Sequence, residues 1–150
     1  MDIKELKPTS IWHYFDAITG VPRPSKKEER IREFLLNFAK EQNLEVKVDK
    51  TGNVVITKEA TPGCEGAPTV ILQAHMDMVC EKNGDVKHDF ERDPIETYID
   101  GEWVKARGTT LGADNGIGMA AAMAVLADKE LKHGRIQACL LYTSPSPRDR

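Results

Sequence analysis

The sequence predicts an α/β fold with helices layered on a central sheet. Three observations carry that reading: one clear amphipathic helical stretch, several apolar runs of strand length, and alternation of the two kinds along 150 residues. Following Pro24, "SKKEERIREFLLNFAKEQ" sets Ser25 and Glu28 at capping-box spacing and places Ile31, Phe34, Leu35 and Phe38 on one face, which predicts a helix. In "LEVKVD", Leu44, Val46 and Val48 alternate with polar residues, and "KTGN" turns the chain into "VVIT", the pattern of a hairpin or edge pair. Val70, Ile71 and Leu72 in "TVILQA" form a continuous apolar run, as in a strand covered on both faces. A polar stretch over 81–105 ends in a short hairpin marked by the Asp100-Gly101 turn and Trp103. "NGIGMAAAMAVLADKEL", rich in Ala and Met, suits a helix packed closely on a sheet, and "RIQACLLY" supplies the next strand.

The composition bounds what the chain can be. With 40% hydrophobic and 30% charged residues it is a globular chain rather than a disordered one. A net charge of -3 and the lack of a long basic run argue against a nucleic acid or anionic lipid partner. No apolar stretch approaches the ~18 residues of a membrane span, and "MDIKELKP" lacks the apolar core of a signal peptide, so a cytoplasmic protein is expected. Cys64, Cys80 and Cys139 are odd in number and widely spaced, which predicts free thiols rather than disulfides or a zinc ribbon. Residues 1–142 read as one domain. Residues 143–150, from "TSPSPRDR", change composition abruptly where a buried strand should reach its end, and we read them as a non-native or disordered tail outside the fold.

Two segments carry chemistry. In "LQAHMDMV", a strand over 70–74 would end at His75 and Asp77, at the carboxyl end of a sheet strand where open α/β folds bind ligands. Residues two apart on an extended chain point the same way. Asp77 is thus placed to support His75, as a carboxylate supports a metal-bound imidazole; a structural role for the pair is the competing reading. In "RGTTLGADNGIG", four glycines surround Asp114 just before the Ala-rich helix. Asp114 reads either as an ordinary helix N-cap or as a site carboxylate. A phosphate loop is excluded because the Lys after the turn is absent. Gly116, Gly118 and Ala121 match a dinucleotide spacing, but they follow a polar turn rather than a strand.

Together "ILQAHMDMVCEKN" and "ARGTTLGADNGIGMAAAMAVL" resemble the dinuclear zinc aminopeptidase and carboxypeptidase superfamily, and within it the cytosolic aminoacyl-histidine dipeptidases, or cytosol non-specific dipeptidases. "VPRPSKKEERI" and "HDFERDPIETYIDGEWVKA" are similar to the same subfamily, so the resemblance spans residues 11–141. It implies the N-terminal part of a zinc-peptidase catalytic domain, with a central mixed sheet flanked by helices and left incomplete here. Carried over, it makes His75 a ligand of one metal, Asp77 the catalytic residue that orients it, and Asp114 the bridge between two metals, beside a peptide to Asn115 that is often cis. Two divalent ions, zinc with manganese or cobalt as alternatives, would activate a shared water for peptide hydrolysis.

The resemblance also defines what this chain lacks: the paired glutamates that include the general base, a later acidic ligand, a C-terminal His ligand and an inserted dimerisation or lid domain. The expectation is a dipeptide substrate and a homodimer for the longer enzyme, and catalytic incompetence for these 150 residues alone. The alternative is a complete, non-catalytic binding module on the same scaffold. Elsewhere, His13 reads as a partly buried packing residue, His88 as a solvated loop residue, His133 as a cation at a helix C-terminus, and Met119 and Met123 as core. Cys80 has no sequence feature that would make it a nucleophile.

Overall fold

A computed structural model describes residues 1–146 of the chain. After a short 3-10 helix come helices α1 (Thr9–Thr19) and α2 (Glu29–Glu41) and strands β1 (Glu45–Val48), β2 (Val54–Lys58) and β3 (Val70–His75). The hairpin β4 (Thr97–Asp100) and β5 (Trp103–Ala106) follows, then helix α3 (Ala113–Ala127) and strand β6 (Ile136–Leu141). The α/β class and the mixed sheet are as expected: four strands lie in the order β1-β2-β6-β3, with β1-β2 and β2-β6 antiparallel and β3-β6 parallel. A parallel pair cannot be joined by a tight turn. Here α3 lies on the connection from β3 to β6 and packs on β3, which brings its start beside the end of that strand.

Period-two alternation puts Val54, Ile56, Ala74, Ile136, Ala138 and Leu140 on one face of the sheet, where all six are buried. They join Phe15 and Ile18 of α1, Ile31, Leu35 and Phe38 of α2, and Met119, Met123 and Leu126 of α3 in a single core. The helical stripe of α2 and the core role of Met119 and Met123 are therefore as read from the sequence.

Five expectations are corrected. Strand β3 is not covered on both faces: it is outermost in its sheet among the described residues, and Val70 and Ile71 are 52% and 61% exposed. The Ser25/Glu28 capping box does not form, because Lys26 takes a positive φ of 71° and Ser25 turns away to another partner; α2 begins after Glu28 without a side-chain cap. Helix α3 stops at Ala127, so His133 lies in the loop beyond it, its backbone N–H bonded to the Thr61 hydroxyl. His13 is exposed with its ring against Tyr14, and His88 packs edge-on against Phe90 rather than standing in solvent. The cysteines are free, as expected. Of the segment read as a tail, residues 147–150 lie outside the described residues, whereas Thr143 bonds the Asp77 carboxylate through its hydroxyl and Ser144 is buried, so the start of that segment packs with the fold.

Candidate metal centre

His75 is the last residue of β3, and Met76 behind it is fully buried in the core. That anchor fixes the strand end so that His75 and Asp77, on either side of Met76, meet on the opposite side. His75 Nδ1–H donates to Asp77 Oδ1 at 2.9 Å, the support anticipated from their two-residue spacing. Both residues are buried, His75 at 8% and Asp77 at 4% exposure. A buried carboxylate requires partners, and Asp77 has three: besides the imidazole, its Oδ2 accepts the Ser25 hydroxyl at 2.6 Å and the Thr143 hydroxyl at 2.9 Å.

Asp114 arrives from the start of α3. The left-handed turn at Gly112 (φ 76°) ends the preceding loop, and Asp114 and Asn115 keep non-helical backbone angles with a cis peptide between them. Asp114 is not a helix cap. Asn115 serves that end instead, its side-chain oxygen accepting the Gly118 N–H at 3.1 Å. The Asp114 side chain is thus released toward the strand end, and its Oδ1 accepts from His75 Nε2–H at 2.9 Å. It remains 80% exposed. A cleft of about 340 Å³, lined by Val79, Thr110, Leu111, Gly112, Ala113 and Asp114, opens beside it.

The imidazole therefore bridges two carboxylates. Its hydrogen bond to Asp77, set against the cost of burial and helped by Asp114, raises the His75 pKa above the ordinary histidine value. Burial pushes the Asp77 pKa up, but the hydrogen bonds from His75, Ser25 and Thr143 outweigh it and hold the carboxyl below its usual range. Burial also pushes the Cys80 thiol up against the pull of Arg23, which fits an inert thiol.

One imidazole nitrogen and one carboxylate oxygen converging at 2.9 Å are a suitable pair of ligands for a zinc-type divalent ion. They are a partial set: among the described residues no group of three His, Cys, Asp or Glu side chains is arranged to hold a metal. His13, His88 and His133 lie in other parts of the fold and none takes part. Three contributors were missed. Arg23 is 2% exposed and bonds the carbonyls of Met76, Asp77 and Gly112. Ser25 was assigned to a cap and Thr143 to the tail. The first two lie in "VPRPS", a segment whose buried arginine has no local signature.

No family model matches the chain. The cytosol non-specific dipeptidase of Escherichia coli K12 is 51% identical over 148 residues, 99% of this chain and 30% of the relative. The crystal structure of aminoacylhistidine dipeptidase from Vibrio alginolyticus superposes with a TM-score of 0.94 at 53% identity, over 98% of this chain and 30% of that one. A tripeptidase from Staphylococcus aureus, 22% identical, shares the fold with a TM-score of 0.70 over 87% of this chain and 35% of that one. The resemblance read from the sequence thus holds along nearly the whole chain, which spans about 30% of the length of the dipeptidases it matches.

Proposed function

We propose that this chain carries part of the metal site of a dipeptidase, a hydrolase of peptide bonds with a dinuclear centre. The observation that supports it most directly is the His75–Asp114 convergence at 2.9 Å behind an imidazole already oriented by Asp77, in a chain 51% identical to a named dipeptidase. A relative of the same fold is described as a dinuclear metal-binding peptidase. In this reading His75 Nε2 and Asp114 Oδ1 would each hold a divalent ion, zinc with manganese or cobalt as the alternatives. The ions, when bound, supply an activated water and polarise the peptide carbonyl. Asp77 holds the imidazole tautomer and direction, and Ser25 and Thr143 hold Asp77. The cleft beside Asp114 has the volume to receive a dipeptide. In this reading the remaining ligands and the general base would come from the length of the dipeptidases that this chain does not span.

Residues 1–142, together with Thr143 against Asp77, act as a partial catalytic domain in this proposal, within a cytoplasmic enzyme that pairs as a homodimer and has neither nucleic acid nor membrane as a partner. Among the described residues no helix is long and apolar enough to cross a membrane. The test is titration of the purified chain with Zn²⁺, followed at the His75 imidazole by NMR, alongside Asp114→Ala. Weak binding at His75 that Asp114→Ala removes is expected, with no dipeptide hydrolysis by the chain alone. A His75 signal indifferent to Zn²⁺ would overturn the metal assignment, and chelator-sensitive hydrolysis by the 150 residues would overturn the division of the site.

A further inference from the structure

We propose that Arg23 is a positioning residue of this site: its guanidinium fastens the segment carrying His75 and Asp77 to the turn carrying Asp114. The inference rests on the metal-site reading and assigns to this chain what sets the spacing of its two ligands. Nη1 donates to Met76 O at 3.1 Å and Asp77 O at 3.0 Å, and Nη2 donates to Gly112 O at 2.5 Å. The backbone adds a fourth tie, Met78 N–H to Arg23 O at 3.0 Å. One planar group therefore spans the end of β3 and the start of α3.

The glycines around Asp114 gain a specific meaning from this. A Cβ at Gly112 would lie 2.6 Å from Arg23 Nη2, and one at Gly116 would lie 2.8 Å from it. Two of the four glycines thus form the floor on which the guanidinium rests, rather than a loop for phosphate. Filling space does not explain the arginine. An apolar side chain of similar volume would fill the same place without taking a charge out of water, and burial does oppose that charge, lowering the Arg23 pKa to about 10. Among the described residues no carboxylate forms a direct ion pair with it; the fields of Asp77 and Asp114 favour its charge from farther off. What an arginine offers here is a rigid fork of donors that reaches three carbonyls on two segments, and a lysine ammonium has no such fork.

The test uses Arg23→Lys, with Gly116→Ala as a second variant that keeps the arginine but crowds it, along with the edge of the Phe15 ring, from its floor. The readout is the pair of imidazole N–H resonances of His75 in the metal-free chain at low temperature. Nδ1–H bonds Asp77 within its own segment, whereas Nε2–H bonds Asp114 across the two segments. We expect both variants to keep the Nδ1–H signal and lose the Nε2–H signal, with Zn²⁺ affinity at His75 lowered at least ~10-fold. Retention of both signals, or loss of both together, would show a merely structural arginine and overturn the proposal. Zn²⁺ added to the unsubstituted chain answers a different question: no response at His75 sinks the metal reading, while the metal-free spectra still decide the role of Arg23.

Discussion

Two regions of this molecule are dense in charge, and they use it in opposite ways. In the β4-β5 hairpin, Lys105 meets Asp100 at 2.5 Å and Arg107 meets Glu96 at 2.7 Å, with all four side chains about half exposed or more. At the end of β3, His75, Asp77 and Arg23 are buried, and nearly every polar atom is committed to a carbonyl, a hydroxyl or a second charge. Pairs in water gain little beyond what solvent already gives them. Buried groups are held in one geometry because losing a partner leaves a desolvated atom with nothing to replace it. Equal charge in the sequence therefore yields a solvated surface in one place and a fixed arrangement in the other.

The largest test of the contrast acts beneath the buried cluster. Met76→Ala, which removes a fully buried side chain between His75 and Asp77, should cost about 2–5 kcal/mol in chemical denaturation. A loss as small as that of an exposed position would show that the strand end is not anchored by the core. Next comes Asp77→Asn, nearly equal in size but unable to accept from every present donor. It should lower Zn²⁺ affinity at His75 roughly 10- to 100-fold, measured by calorimetry.

The pH dependence of the metal-free chain sharpens the comparison further. The His75 value is raised on folding, so its contribution is complete below about pH 6.5 and is lost as pH rises through the raised value. The Asp77 value is lowered, so its contribution is complete above about pH 3.9 and is lost as pH falls through the lowered value. Thermal melts should therefore peak between those limits, and Asp77→Asn should flatten the decline on the alkaline side. The smallest effect belongs to the hairpin: Lys105→Ala should leave the unfolding midpoint unchanged, and a clear drop there would erase the distinction between the two regions.

What the sequence made legible depended on how far away the deciding partner lay. The α2 stripe, both hairpins and the His75–Asp77 pair are set by neighbours within a few residues, and periodicity finds them. Arg23 and Ser25 are different. Their partners lie more than 50 residues on, so nothing local marks the arginine among prolines, and a serine three residues before a glutamate looks like a cap. Asp114 failed as a cap because Asn115 took that place, a choice of adjacent polar residues that the local pattern does not decide. The exposure of Val70 and Ile71 was equally hidden, since an apolar run records what a strand is suited to face and not which neighbours stand beside it.

The parallel pairing of β3 with β6 joins positions as far apart as Val70 and Ile136, and the contacts of the polar cluster are of similar span: 39 residues from His75 to Asp114, 66 from Asp77 to Thr143 and 89 from Arg23 to Gly112. Contacts of that span must close long loops before they return any stabilisation, whereas the β1-β2 hairpin and the helices close short ones. In a refolding experiment the hairpin and helices are expected to gain protection first and the strand end last. The hydrogen bonds of His75 would then serve as a late kinetic marker: an imidazole signal appearing there reports that segments from Arg23 to Thr143 have found their order.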